Sequence, residues 1–528
     1  PLLVGSRRCD RGAGRSEAVA ARSRPVIADA VRARSAMRRS EARSRDERRA
    51  VIDIGSNTVR LVIYGGPPRA PAVLWNEKVS ARLGRDLEKT GEMPEAAMAD
   101  ALKALARYAV ILRDLGVAQI EAVATAAPRD ATNGAEFLSR VAALGLRVRV
   151  LSGEEEASAS AWGAIGAFPG ARGMVADLGG GSLELVTIGD GQCEKGTSLP
   201  LGTLRLPSLR ASRQIHRKVT KSLAAGSGEL RRSRGQPLYL IGGTWRALAT
   251  YAMRSIDHPL TDPHGFTLGT ASAAAIAGKI ADSKPAQLAL VRGISAMRAD
   301  KLPDAAVLLL ALLDELQPEA LIFSSWGLRE GLHYQRLSPA ARASDPLLAA
   351  VTSFAGEKSA TVTDAALLAA WTSAAARRAG SQAENLRLAA AQLALALHRV
   401  EPNLRGAHAL EWALDKRWIG IDFAGRAMLA AALRASLGLS EPHERLLPLA
   451  SAGELQEATA WGLALRLAQR LGAGSRDALA ASRLQIDQGR LQLTIAADHA
   501  PLASGPVEKD LAALASWLGL KPTLSVDR

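Results

Sequence analysis

Cysteine is nearly absent from this 528-residue chain, with only Cys9 and Cys193, far apart and in unlike surroundings. Neither a disulfide framework nor a cysteine-ligated zinc site can be built from them, and the expected compartment is reducing, hence cytoplasmic. Long apolar runs are missing too. The longest, Ala305 to Leu313, stops at Asp314 after nine residues, against the ~20 that a membrane-spanning helix needs. The eight histidines are scattered without metal-ligand spacing. Neither a Gly-x-Ser-x-Gly elbow nor a Walker loop occurs, which leaves little support for serine or P-loop chemistry. Over residues 51–340 basic and aromatic residues are not interleaved, so no nucleic-acid partner is expected.

What the chain does have is 48% hydrophobic residues and length enough for about three domains. Its formal charge of +15 is unevenly placed: residues 1–50 hold fourteen arginines against six acidic residues, a balance of +8 that leaves +7 for the other 478. That Arg/Ser/Ala stretch lacks hydrophobic periodicity and is expected to be a disordered tail, with Met37 a candidate for the true start.

At Val51 the texture changes to VIDIGSNTVRLVIYGG, a strand ending in Asp53, a polar turn and a second strand, which predicts a β-hairpin. The same order returns as MVADLGGGSLELVTIGDG, with Asp177 in the place of Asp53, 124 residues later. This internal repeat predicts two equivalent lobes, at 51–158 and 159–340. In the first, a third strand and a helix from about Pro94 to Leu115 precede strand-helix alternation, which suggests a mixed sheet covered by helices. The second repeats the theme less regularly, through a basic helical stretch Arg213 to Lys221 and the strand ALIFSS. From Leu347 onward apolar residues recur at helical spacing, which predicts a mainly helical domain over 347–528 with a small hairpin near Gln488-Gly489.

Both hairpin turns, Gly55-Ser56-Asn57-Thr58 and Gly179-Gly180-Gly181-Ser182, could cradle phosphate with backbone N–H groups, or could simply be structural turns. Asp53 and Asp177 interrupt apolar strands, where a carboxylate is costly unless it meets a cation or strong donors. A hard ion such as Mg²⁺ would suit them. Glu184 lies on the same strand face as Ser182 and could join that site, or be an exposed strand residue. In SGEEEASASAWGAIG, Ser152 and Glu155 have capping-box spacing, whereas Glu156 is left either to favour the helix dipole or to act as a base toward the cleft. Arg129, expected in a loop after a strand, could grip phosphate bidentately or be solvated. Gly242-Gly243-Thr244 could approach a phosphate chain or merely start a helix.

The segments VIDIGSNTVRLVI, ATAAPRDATNGAEFL, VLSGEEEA, VADLGGGSLEL, SLPLGTLRL, IGGTWRAL and SSWGLREGLHY occur in this order from about Val51 to Tyr334. In this the chain resembles the exopolyphosphatase / guanosine pentaphosphate phosphohydrolase (Ppx/GppA) family. The resemblance implies a duplicated actin-like (ASKHA, ribonuclease H-like) α/β fold of two lobes with a mainly helical C-terminal domain. It also implies hydrolysis of a terminal phosphoanhydride with Mg²⁺ or another divalent cation such as Mn²⁺. Glu156 then matches the residue that activates water, and Asp53, Asp177 and Glu184 match acidic residues near the metal. Arg129, Gly55 to Thr58, Gly179 to Ser182 and Gly242 to Thr244 match the phosphate clamp. The expected substrate is inorganic polyphosphate, with guanosine pentaphosphate or a non-catalytic alarmone sensor as alternatives, and a homodimer is possible. Two departures stand out. Ser158 occupies a position where the family often has Arg, which predicts one charge fewer near the substrate, with Arg205 or the Arg213 to Lys221 stretch as possible substitutes. The helical domain looks like a worn His-Asp phosphohydrolase domain, in which His398 is followed by Arg399 instead of Asp.

Overall fold

The computed structural model describes residues 48–225, 233–377 and 380–527. The expected disordered tail lies, up to residue 47, outside the described residues. The first strand, β1 (Arg49–Ile54), starts two residues before the apolar run, because the Arg49 backbone already pairs with Tyr64 on one side and Gln119 on the other. Strands β2 (Val59–Gly65) and β3 (Ala72–Val79), helix α1 (Glu95–Asp114), β4 (Gln119–Ala124), the short helix α2 (Ala126–Asp130), α3 (Gly134–Ala142) and β5 (Val148–Val150) complete the first lobe. Its five-stranded sheet runs β3-β2-β1-β4-β5, with β1 antiparallel to β2 and parallel to β4.

Helix α4 (Gly153–Ala167) leads into the second lobe, β6 (Gly173–Leu178), β7 (Leu183–Gly189), β8 (Gln192–Cys193) and β9 (Thr197–Leu199). There follow α5 (Leu206–Ala211), α6 (Ile215–Ala225), β10 (Leu238–Ile241), α7 (Gly243–Ser255), β11 (Thr267–Gly269), α8 (Ala296–Ala299), α9 (Leu302–Leu316), β12 (Ala320–Ser324) and α10 (Leu328–Gln335). The sheet order is β11-β12-β10-β6-β7-β8, with β9 on β7. The repeat holds at the level of hydrogen bonds. Gly55 N–H donates to Thr58 O and Gly179 N–H to Ser182 O, each at 3.0 Å. Each turn is braced by a loop that follows a later strand, β3 in the first lobe and β9 in the second: Gly84 N–H donates to Ser56 O at 2.7 Å and Leu204 N–H to Gly180 O at 2.9 Å. Sequence reading missed β11, three residues with no alternation to detect, which pairs antiparallel at the edge on β12.

Past residue 345 the chain is mainly helical and closes with β13 (Ser482–Asp487), β14 (Arg490–Ile495) and β15 (Lys521–Val526). The hairpin around Gln488-Gly489 is there, but β15 adds in parallel to β14, a strand that the sequence reading did not find. The apolar core of this region is continuous with that of the second sheet. The two are also tied by Arg417, which reaches both carboxylate oxygens of Asp262 at 2.5 and 2.8 Å. His398 is shifted toward the neutral form by burial and by Arg405.

Helix α4 is the piece both lobes share. Its Ala159 packs with Val51, Val62 and Val123 of the first lobe, while Ala157, Ala161 and Ala164 pack with Val175 and Val186 of the second. It crosses α10 at a distance only glycine allows: a Cβ on Gly331 would fall on the carbonyl oxygen of Ala159, and one on Gly163 on that of Gly327. Gly331→Ala should therefore cost more than about 3 kcal/mol, as forced overpacking between backbones does. Gly453→Ala, with nothing within 4 Å of the added methyl, should be neutral or gain up to about 1 kcal/mol. Thermal denaturation of the two variants checks this, and equal melting temperatures would contradict the crossing geometry.

Candidate active site

The two hairpin turns meet in the cleft between the lobes. A Cβ on Gly181 would lie 3.0 Å from Ser56 Oγ, and one on Gly180 3.3 Å from Ser56 Cβ. Beside them is a cavity of about 250 Å³. It is lined by Asp53, Gly55 to Thr58, Glu156, Asp177, Gly179 to Ser182, Glu184 and Gly242 to Thr244, so nearly all residues singled out from the sequence come together. Arg129 is the exception. It sits on α2 instead of in a loop and reaches the cleft only through Glu156, with Nη1 3.2 Å from Glu156 Oε2 and 3.0 Å from Leu151 O.

The three consecutive glutamates of α4 have separate fates. Glu155 closes the expected capping box, accepting from Ser152 N–H at 2.8 Å while its own N–H donates to Ser152 Oγ at 3.1 Å. Glu154 pairs with Lys195 at 3.1 Å on the surface. Glu156 turns inward and is 8% exposed. Burial pushes its pKa up to about 7, opposed by Arg129 and assisted by Asp177 and Asp53. Glu184 is also buried, which removes the exposed-strand reading, and Ser198 Oγ donates to its Oε1 at 2.9 Å. Its pKa is well above the ordinary value, first from burial and then from Glu156 and Asp177. Asp177 accepts a short hydrogen bond from Ser160 Oγ, one helical turn after Glu156, and burial raises its pKa despite that bond. Asp53 is likewise raised by burial, against the pull of Arg329 at 3.5 Å.

Sequence reading missed the cations. Arg60, Lys78, Arg246, Arg298, Lys301 and Arg329 all line the same cavity. Burial lowers the pKa of Arg246 to about 10, and Arg298, Arg329 and Arg60 add to the fall. Arg60 also falls to about 10, first from burial and then from Arg329. Burial works against the Arg329 charge as well, but Glu330 and Asp53 more than offset it and its pKa rises. Arg246 Nε, Arg329 Nε and Ser325 Oγ are buried without a hydrogen-bond partner. The signal that could have found Arg60 was the repeat itself. Arg60 pairs with Asp53 as Glu184 pairs with Asp177, so it occupies the position equivalent to Glu184. Position 158, by contrast, faces away from the cavity: Ser158 Oγ lies 3.6 Å from Cys193 Sγ and 3.5 Å from Gln335 Nε2. Its departure from the family pattern removes no charge from this cavity, and neither Arg205 nor any residue of Arg213 to Lys221 lines it.

The donor set suits a hard cation, because the half-buried carboxylates of Asp53 and Asp177 and the buried one of Glu184 line one cavity and are destabilised as bare anions there. Among the described residues, no three His, Cys, Asp or Glu side chains gather closely enough to enclose an ion. The raised pKa of Glu156 has a consequence for stability. Between pH about 4.5 and 7 the folded protein holds a proton that the unfolded chain has lost, so stability falls as pH rises through that window. Glu156→Gln has no such proton to lose. In the presence of a chelator its melting temperature should exceed the parent's at pH 8, by the equivalent of roughly 2 kcal/mol, and match it at pH 4. A lower melting temperature at pH 8 would contradict the burial account.

Residues 62–339, just over half of the chain, match the Ppx/GppA phosphatase family. Exopolyphosphatase 1 of Mycobacterium leprae is 29% identical over 310 residues, covering 55% of this chain and 89% of that protein. Its Mycobacterium tuberculosis namesake is 29% identical over 309 residues, covering 55% and 88%. Among solved structures, an exopolyphosphatase from Cytophaga hutchinsonii superposes with a TM-score of 0.50 at 24% identity, over 55% of this chain and 97% of that one. A Ppx/GppA family member from Aquifex aeolicus gives 0.48 at 25%, over 55% and 96%. The Cytophaga likeness shows the fold, the duplicated actin-like α/β architecture of two lobes, to which this chain adds a largely helical C-terminal region. With that fold, these relatives and a match running from β2 to just past α10, the chain belongs to the Ppx/GppA phosphatase family.

Proposed function

We propose that the cleft hydrolyses the terminal phosphoanhydride of inorganic polyphosphate and releases orthophosphate. One observation carries this reading: six cations and four buried or half-buried carboxylates line one small cavity, where Arg329 lowers the pKa of Arg60, and Arg298, Arg329 and Arg60 lower that of Arg246. Buried like charges are stable together only beside a counter-anion of high charge density, and phosphate oxygens supply it. The partnerless Nε atoms of Arg246 and Arg329 and the hydroxyl of Ser325 are donors suited to those oxygens. No aromatic side chain lines the cavity. A guanine base would want such a face, and a bare phosphate chain does not. The names of the relatives, exopolyphosphatases, agree with this choice.

Within this reading, water attacks the terminal phosphorus in line, its proton goes to Glu156, and the bridging P–O bond breaks toward the shortened chain. Arg129 holds Oε2 of Glu156, which leaves Oε1 for that proton. A base with a pKa near 7 is matched to neutral pH. Asp53, Asp177 and Glu184 would hold the divalent ion, Mg²⁺ or Mn²⁺, which would offset charge on the phosphate oxygens. Arg60, Arg246 and Arg329 stabilise the charge that builds on the transferred group, where most of the catalysis of phosphoryl transfer resides. Ser160 holds Asp177 in its rotamer from the same helix that carries Glu156.

Phosphate release from long-chain polyphosphate, against guanosine pentaphosphate, tests the assignment. Glu156→Gln should lower kcat by at least about 100-fold. Preference for the nucleotide would reassign the substrate, and nucleotide binding without release from either would leave a sensor. The kcat/KM of the parent should rise with pH through about 7 as Glu156 loses its proton. Arg129→Ala removes a charge that lowers the Glu156 pKa, so the rise should move to higher pH. An unmoved profile would argue against Glu156 as the base.

A further inference from the structure

A cavity of about 250 Å³ accepts the end of a polyphosphate chain but not the length of one, so the remaining units must leave across its mouth. On the rim where the lobes touch, two loops meet. One runs from Ala81 to Asp86 and the other from Gly202 to Arg205, and a Cβ on Gly84 would lie 3.1 Å from Leu204 Cδ1. Each loop is fastened to a phosphate turn. Arg82 N–H donates to Asn57 O at 3.1 Å, and Thr203 N–H to Gly179 O, also at 3.1 Å. Arg82 and Arg85 are exposed and Arg205 is half-buried, and among the described residues no carboxylate forms an ion pair with any of them. Arg82 is held at a φ of 58°, a left-handed conformation uncommon for a side chain of its size. The rim is electrically continuous with the cavity through Lys301, whose Nζ is 3.4 Å from Thr203 Oγ1. Its pKa is lowered by burial and further by Arg82, while Asp300 opposes the fall. Asp86, next to Arg85, and Asp300, next to Lys301, are both exposed.

We propose that Arg82, Arg85 and Arg205 form an external subsite that grips the distal phosphates of a long polyphosphate as it leaves the cleft, so that affinity depends on chain length. The proposal rests on the polyphosphate reading above. Guanidinium groups suit it, since each can engage two phosphate oxygens at once and none can lose its charge at neutral pH. Their placement on both lobes means that one long chain would touch both sides of the cleft, which a short chain confined to the cavity cannot do.

The test compares the parent with a triple variant, Arg82→Gln, Arg85→Gln and Arg205→Gln, on long-chain polyphosphate and on tripolyphosphate. The ratio of KM for the long chain to KM for tripolyphosphate should rise about tenfold, as the loss of several exposed ion pairs allows, and the salt dependence of the long-chain KM should become shallower. The corresponding triple Lys variant should restore most of the ratio. Removing three charges from α6 and the turn before it instead, with Arg213→Gln, Arg217→Gln and Lys221→Gln, should leave the ratio unchanged. An equal effect from the α6 variant would reduce the result to net charge and overturn the subsite, as would an unchanged ratio in the rim variant. Binding of long-chain polyphosphate to the Glu156→Gln protein, with and without the rim substitutions, gives the same comparison without turnover. Failure of the hydrolase reading and failure of the rim are therefore separate results.

Discussion

The site depends on the crossing of α4 and α10. Two helices without side chains at their contact, at Gly163 against Gly327 and at Gly331 against Ala159, approach until backbone touches backbone. The alanines along α4 then fit one helix between both sheets, and its two faces belong to different lobes. One rigid helix carries Glu156 and, through Ser160, steadies Asp177. The other carries Arg329 toward Asp53 and Glu330 toward Tyr64, whose hydroxyl donates at 2.6 Å. Four groups from both halves of the repeat are thereby placed relative to one another by backbone contact, which is less yielding than side-chain packing.

That rigidity is needed because the charges it assembles do not favour being together. Every carboxylate lining the cavity has its pKa raised by burial; Arg60 is lowered by burial and by Arg329, and Arg246 by burial and by Arg298, Arg329 and Arg60. Such a cluster subtracts from stability in the folded protein and is offset by cores elsewhere, a pattern expected of functional sites. Under the proposed function, the same repulsion would favour binding of a polyanion and a divalent ion, because preorganised charges need not reorient when the substrate arrives.

The fold was legible because its signals are local. A hairpin with Asp at one end of its first strand can be seen twice by eye, and α1 and β12 end within one residue of their predicted limits. The carboxylates and glycines of the site were legible for the same reason, each being out of place in an apolar strand or turn. The cations were not. Arg60, Lys78, Arg246, Arg298, Lys301 and Arg329 come from β2, β3, α7, α8, the linker after it and α10. Arginine on a strand or in the first turn of a helix looks like ordinary surface until the tertiary fold turns it inward. Ser158 shows the converse. A substitution two residues from Glu156 in sequence points elsewhere in space, since residues two apart on a helix are about 200° apart.

The duplication also explains how one ancestral hairpin serves two needs. Position for position, Asp53 and Asp177 are equivalents, and so are the turns at Gly55 and Gly179, but the residue across the ladder has diverged to Arg60 in one lobe and Glu184 in the other. The first lobe therefore opposes its aspartate with a guanidinium, and the second doubles its carboxylate. A symmetric pair of either kind would fail. Two arginines would leave a divalent ion with too few oxygen ligands, and two glutamates would repel the substrate that the ion must meet. Under the proposed function, placing the two kinds on opposite walls of one cleft would give phosphate and metal adjoining positions with opposite fields, and the asymmetry within the repeat would make the cleft directional.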